Sequence, residues 1–107
     1  MMTPQQQIIQ MLGLAARARK IITGEELVVT AVRNGSAKLV FLADDASKNS
    51  NKKIQDKCTY YKVPYAIFGD RYTLGQATGK EARVTVAITD AGFAKKLKSL
   101  IAQVNEA

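Results

Sequence analysis

Four consecutive apolar residues, Leu39-Val40-Phe41-Leu42, constrain this chain more than any other stretch. The run is too short for a helix and offers water no polar side chain on either side. Alternate residues of a strand point to opposite faces, so both faces of this strand must be covered. Such a strand, taken as Lys38 to Ala43, belongs inside a sheet with helices packed above and below it.

Flanking residues supply part of that cover. Glu25 to about Asn34 reads as a helix. Thr23 stands three residues before Glu26, which predicts a capping box satisfying two N–H groups at the helix start. Asn34-Gly35 predicts a left-handed stop, because glycine takes positive φ without steric cost. Val28, Val29, Thr30 and Val32 favour a strand by propensity. The cap, the stop and the polar set Glu25, Glu26, Thr30 and Arg33 on one side decide for the helix. Asp44-Asp45 then forms an acidic loop running to Ser47.

Similar punctuation orders the rest. Thr3, Pro4 and Gln6 predict a capping box with proline at the first helical position, and Ile8, Met11, Leu12, Ala15 and Ala18 carry a helix to about Arg19. Gly13 inside it costs roughly 1 kcal/mol against alanine, so it is read as a point of close packing. Ile21-Ile22 is a very short strand. Ser47 or Asn49 opens a helix over Asn51 to Tyr61, with Ile54, Cys58 and Tyr61 on its apolar stripe, stopped by Val63-Pro64. Tyr65 to Phe68 is a strand. Thr73 to about Thr78 is a short helix ended by Gly79. Glu81 to Thr89 alternates through Ala82, Val84, Val86 and Ile88 as a further strand. Thr89 or Asp90 caps a last helix that turns Phe93, Leu97, Leu100, Ile101 and Val104 inward. Alternating helices and strands predict an α/β fold, one domain over residues 1–107 with a single sheet, mixed or mostly parallel, between helices.

Enzyme chemistry finds little support. The chain has no histidine, which removes the commonest general base and metal-ligating imidazole. Its one cysteine, Cys58, lies on an apolar stripe and reads as a small buried hydrophobe, and a lone cysteine builds no zinc site. Asp44-Asp45 reads as loop solvation and helix charge compensation rather than as a carboxylate pair. The glycines have neither Walker-type nor dinucleotide-type spacing. No cofactor, metal or catalytic residue is expected. A single cysteine fits a reducing compartment, the glutamine-rich start is unlike a signal peptide, and no apolar run approaches the roughly 20 residues needed to span a bilayer. The expectation is a cytoplasmic protein with no membrane partner.

Binding is better supported. Sixteen basic residues against nine acidic ones give a net charge of +7, which favours a polyanion. Arg17, Arg19 and Lys20 precede Gly24, and Lys80 and Arg83 follow Gly79. If the sheet brings the two groups to one edge, they form a basic rim around the helix start at Gly24, whose free amides suit an anion or a base edge. The four tyrosines, Tyr60, Tyr61, Tyr65 and Tyr72, show no spacing that suggests stacking on a single strand, which favours a shaped RNA.

The stretches GLAARARKIITGEELVVTAVRNGSAKLVFLADDAS, NKKIQDKC, YYKVPY, LGQATGKEARV and AITDAGFAKKL together resemble the kink-turn-binding ribosomal proteins of archaea and eukaryotes, and most nearly their bacterial, YlxQ-type branch. The resemblance runs from Leu12 to about Leu100. It implies a three-layer α/β/α sandwich with a mixed four-stranded sheet, and RNA binding without catalysis. It also implies that the helix beginning at Gly24 enters the widened groove of a kinked duplex beside tandem sheared G·A pairs, while the Lys80 to Arg83 loop covers a flipped-out nucleotide. Leu74, Gly75 and Gly79 match the family's LGxxxG signature, and Lys80-Glu81-Ala82-Arg83 is nearer the eukaryotic type than the apolar archaeal loop.

Two departures stand out. Glu26-Leu27 replaces an asparagine–glutamate pair common in archaeal members, and Thr30 replaces a lysine one turn later. A carboxylate can accept from guanine amino groups, but Glu25 and Glu26 are repelled by phosphates. The missing lysine forgoes a charge-assisted contact worth roughly 1.5–3 kcal/mol when well formed. Leu27 packed into the core would contribute nothing to RNA, and Lys20, Arg33 and Lys80 are the candidate compensating cations. The residues expected to meet RNA are thus Lys20, Gly24, Glu25, Glu26, Thr30, Arg33, Lys80, Glu81, Ala82 and Arg83. The expected partner is a structured RNA, ribosomal or regulatory, bound by a monomer in association with the ribosome or a regulatory transcript. The alternative is a protein-interaction module on the same fold with a drifted RNA surface.

Overall fold

A computed structural model describes residues 1–106, and its elements follow in chain order: α1 (Pro4–Arg17), β1 (Ile21–Thr23), α2 (Glu25–Arg33), β2 (Leu39–Leu42), α3 (Lys48–Tyr60), β3 (Tyr65–Ile67), α4 (Arg71–Ala77), β4 (Thr85–Ile88) and α5 (Ala91–Glu106). The sheet runs in the order β1-β4-β2-β3. It is mixed rather than mostly parallel: β2 and β3 are parallel, while β4 is antiparallel to both its neighbours.

The apolar run lies in the sheet's interior, with every residue of β2 and β4 buried. Leu39 and Phe41 join Val86 and Ile88 on one face, under Ile8 and Leu12 of α1, Leu74 of α4 and Leu97 and Leu100 of α5. Val40, Leu42 and Ala87 form the other face, under Val28 and Val32 of α2 and Ile54 and Cys58 of α3. The result is a three-layer α/β/α sandwich whose buried aliphatic side chains each contribute roughly 1.5–3 kcal/mol.

Several boundaries differ from expectation, each for a local reason. α1 stops at Arg17 rather than Arg19, because Arg19 takes the left-handed conformation (φ 60) and Lys20 N–H closes onto the Ala15 carbonyl. α3 starts early, capped by Ser47 accepting from Ser50 N–H at 3.1 Å. α4 starts at Arg71, where the Asp70 carboxylate accepts from the amides of Tyr72 and Thr73 at 3.0 and 2.8 Å. Asp90 rather than Thr89 caps α5, accepting from Phe93 N–H at 2.9 Å. Residues 81–84 precede β4 as a loop, since β1 and β2 offer β4 partners only from Thr85 to Ile88. Tyr61 leaves the apolar stripe of α3 and is 37% exposed. Among the described residues, no helix is long and apolar enough to cross a membrane.

One consequence of the topology places the site. Thr23 pairs with Val86, and Leu42 with both Thr85 and Ile67, so the ends of β1, β2 and β3 and the start of β4 share one end of the sheet. Gly24, Asp44, Gly69 and Arg83 follow or precede the strands there.

Candidate nucleic-acid interface

Gly24 opens α2 with φ 97, and no side chain caps the helix. Thr23 is held in β1, and its hydroxyl accepts from Arg83 Nε at 3.2 Å. The expected Thr23–Glu26 capping box therefore does not form. The Gly24 carbonyl still accepts from Val28 N–H at 2.9 Å to begin the helical ladder. A Cβ at Gly24 would meet nothing within 4 Å, so the positive φ, not crowding, calls for glycine here. The first amides of α2 thus face outward with the positive end of the helix dipole behind them.

Around this start, Glu26 and Leu27 are exposed, at 88% for the Glu26 side chain and 64% for Leu27. Leu27 does not pack into the core: Val28, Val29, Ala31 and Val32 fill the buried stripe of α2, and Leu27 falls on the outer side. Thr30 is also outside, its hydroxyl donating to the Glu26 carbonyl at 3.0 Å. Glu25 and Glu26 share one cation, Lys53 of α3, at 3.5 Å each. The Ser50 hydroxyl, aided by Lys53, holds the Glu25 carboxyl below the ordinary carboxylate range, although Glu25 Oε1 is out of solvent with no closed hydrogen bond. Sequence reading missed Lys53, because nothing local signals that α3 lies beside the start of α2.

The loop from Thr78 to Arg83 is built as tightly as the helix start is open. Lys80 N–H returns to the Gly75 carbonyl at 2.7 Å and Gly79 N–H to Gln76 at 3.1 Å, a Schellman ending with Gly79 at φ 77. The buried Thr78 hydroxyl donates to the Leu74 and Gly75 carbonyls. Arg83 is half-buried, its Nη1 donating to the Ala82 carbonyl at 2.6 Å besides the bond to Thr23. Asp45 binds Arg71 through N–H and Nε at 3.0 Å each, and the Arg71 carbonyl accepts from Arg83 N–H at 2.8 Å. This chain of ties runs across the end of the sheet from the β2 loop to β1. Asp45 is therefore a structural tether, while Asp44 is exposed beside it.

The basic residues sort into two groups. Ile21 and Thr23 on one side of edge strand β1, with Arg19 of the preceding turn and Thr78 and Lys80, line a cleft of about 320 Å³. An adjoining cleft of about 300 Å³ carries Arg17 against α4. Lys80 and Arg83 are thus brought to the Gly24 end, with Glu81 and Ala82 on the same loop, and Arg19 lines the same cleft as Thr23 and Lys80. Lys20 is not: its carbonyl accepts from Thr89 N–H at the opposite end of β1. Arg33 lies at the far end of the nine-residue α2, about 12 Å along the helix axis from Glu25 at ~1.5 Å per residue. Its neighbours there are Lys38 and Lys62.

Free amides, a glycine-permitted approach and flanking cations make a surface for an anionic or base-edge ligand. The described residues hold no group of acids and cysteine that could bind a metal. Cys58 is fully buried, and burial pushes its thiol up to about 11. The sequence matches the ribosomal protein L7Ae/L30e/S12e/Gadd45 family over residues 6–98. It is 59% identical over 91 residues to the RNA-binding protein YlxQ of Bacillus subtilis (strain 168), covering 85% of this chain and 91% of that protein. The chain belongs to the L7Ae/L30e family.

A second family relative, the RNA-binding protein YlxQ of Enterococcus faecium, is 47% identical over 97 residues, covering 91% of this chain and 93% of that protein. The solved structure of a Bacillus halodurans protein of unknown function superposes with a TM-score of 0.88 at 49% identity, covering 90% of this chain and 97% of that one. Leu27 and Thr30 both lie on the exposed side of α2, so neither is absorbed by the core.

Proposed function

We propose that this protein binds structured RNA without catalysing a reaction, and that its target is a kink-turn or a related internal loop. The single observation that carries the reading is the uncapped start of α2 at Gly24, open to solvent beside the Arg19–Lys80 cleft. Outward amides and flanking cations suit a sharply bent backbone that presents phosphates and base edges together. The two YlxQ relatives bear RNA-binding names, which supports the class of ligand. In this reading Gly24 to Thr30 enters the groove, Lys80 to Ala82 contact the RNA from the facing loop, and Arg83 holds that loop against Thr23. Lys53 offsets part of the negative charge of Glu25 and Glu26, which repels phosphates. The RNA is ribosomal or regulatory, and the protein acts on it as a monomer.

Affinity for a kink-turn duplex, measured against the same duplex with its G·A pairs replaced by Watson–Crick pairs, tests the reading. Clear preference for the kink-turn supports it; equal affinity reduces the interaction to charge alone. The exposed Leu27 favours a second reading, a protein-interaction module using the same surface. A cellular partner captured through Leu27 and insensitive to nuclease would support that alternative.

A further inference from the structure

Beyond Lys53, the outer face of α3 is not used in the proposed site, yet it combines cations with exposed aromatic rings. Lys53, Asp56, Lys57, Tyr60 and Tyr61 recur at helical spacing and line one open groove of about 480 Å³. Tyr60 is 77% exposed and meets Tyr61 edge to face, with ring centroids 4.8 Å apart. A core aromatic would be buried; these two present ring surface to solvent.

Charge on this face is unbalanced. Asp56 is taken by Lys52 at 2.7 Å, and Lys53 reaches toward Glu25 and Glu26. Among the described residues, Lys57 and Lys62 have no carboxylate within ion-pair distance. Tyr61 also lines a second cavity, of about 330 Å³, with Arg33, Lys38 and Lys62. Lys53 stands beside the start of α2 and Lys62 beyond the end of α3, so the face runs from the Gly24 site toward the opposite end of the molecule. Lysines spaced along a groove with exposed rings between them are the elements that hold an unpaired strand: phosphates meet the cations, and bases stack on the rings.

We propose that the α3 face is a second RNA contact, taking an unpaired strand whose bases stack on Tyr60 and Tyr61 and whose phosphates meet Lys57 and Lys62. The inference rests on the reading of this chain as an RNA binder and names a further part of its ligand. Regular duplex fits it less well, because stacked bases leave no free ring surface for a tyrosine.

The test uses two duplexes, one with the kink-turn and one with its G·A pairs replaced, each prepared blunt and with a short single-stranded uridine extension. Extended over blunt affinity is the quantity read. The wild-type protein is expected to bind the extended form about tenfold more tightly, the range of one stacked base. Tyr60→Ala with Lys57→Ala is expected to bring that ratio to one while leaving blunt affinity unchanged. Tyr60→Phe should keep most of the gain, since the ring remains. A ratio of one in the wild type, or a full gain surviving the double substitution, overturns the proposal. Each duplex reports its own ratio, so loss of preference for the G·A pairs defeats the kink-turn reading without deciding this one.

Discussion

Gly75 of α4 and Ala82 of the following loop are packed backbone to backbone: a Cβ placed on Gly75 would lie 2.6 Å from the Cα of Ala82. No side chain can yield there, because the atoms met are main chain. This packing sets how closely the Lys80–Arg83 loop lies against α4, and so where it stands relative to Gly24.

Gly75→Ala is therefore expected to cost about 1–3 kcal/mol in denaturant unfolding, as overpacking does. It should also weaken RNA binding by shifting the loop. Gly13 provides the contrast. Its Cβ would stand 3.4 Å from the Ala77 carbonyl oxygen, a close approach of α1 to α4 that stops short of a clash. Gly13→Ala is expected to stabilise the protein by about 0.5–1 kcal/mol.

Arg19 occupies a left-handed position (φ 60) where glycine is the unstrained choice, and its side chain lines the cleft with Lys80. Relief of the roughly 1 kcal/mol steric cost is offset in part by the flexibility glycine adds to the unfolded chain. Arg19→Gly should thus leave the urea midpoint unchanged or slightly raised. Affinity for the kink-turn duplex should fall. The slope of log affinity against log salt should flatten by nearly one unit, because one phosphate is no longer neutralised.

Thr30 is exposed one turn after Glu26. Thr30→Lys places a cation on that face and is expected to tighten kink-turn binding by up to about tenfold. A weaker complex in an equilibrium titration would mean that this side of α2 does not face the RNA.

Cys58 is buried under α2 with its thiol raised from 9.0 to about 11. A raised pKa means the folded state holds its proton longer than the unfolded state does. The native form therefore loses stability as pH rises from about 9 toward 11, by on the order of 2–3 kcal/mol. Unfolding curves across that window should fall more steeply for the wild type than for Cys58→Ala. Below pH 9 the two slopes should coincide.

What is legible in the sequence is mostly local. Pro4 after Thr3, Gly35 after Asn34 and the LVFL run each determine their own geometry through short-range sterics or burial, and the structure follows them. Sequence reasoning fails where a distant partner decides. Thr23 has the right spacing for a cap, but pairing with Val86 and the bond from Arg83, sixty residues away in the chain, keep it in β1. The sequence leaves Leu27 open between core and surface, and the buried stripe of α2, filled by Val28, Val29, Ala31 and Val32, puts it outside. The same limit applies to the cations. Arg19 and Lys20 are adjacent in sequence, yet the left-handed turn at Arg19 and the antiparallel pairing of β1 place only Arg19 in the cleft with Lys80.

On the proposed function, RNA sits at the start of α2 between Lys53 and the Lys80–Arg83 loop. Backbone amide shifts of the isotopically labelled protein, followed during titration with a kink-turn duplex, test it most directly. The largest changes are expected at Gly24 to Leu27, Thr30 and Gly79 to Arg83, and much smaller ones when the G·A pairs are replaced. Changes concentrated on α5 or β3, or the same map from both duplexes, would contradict it.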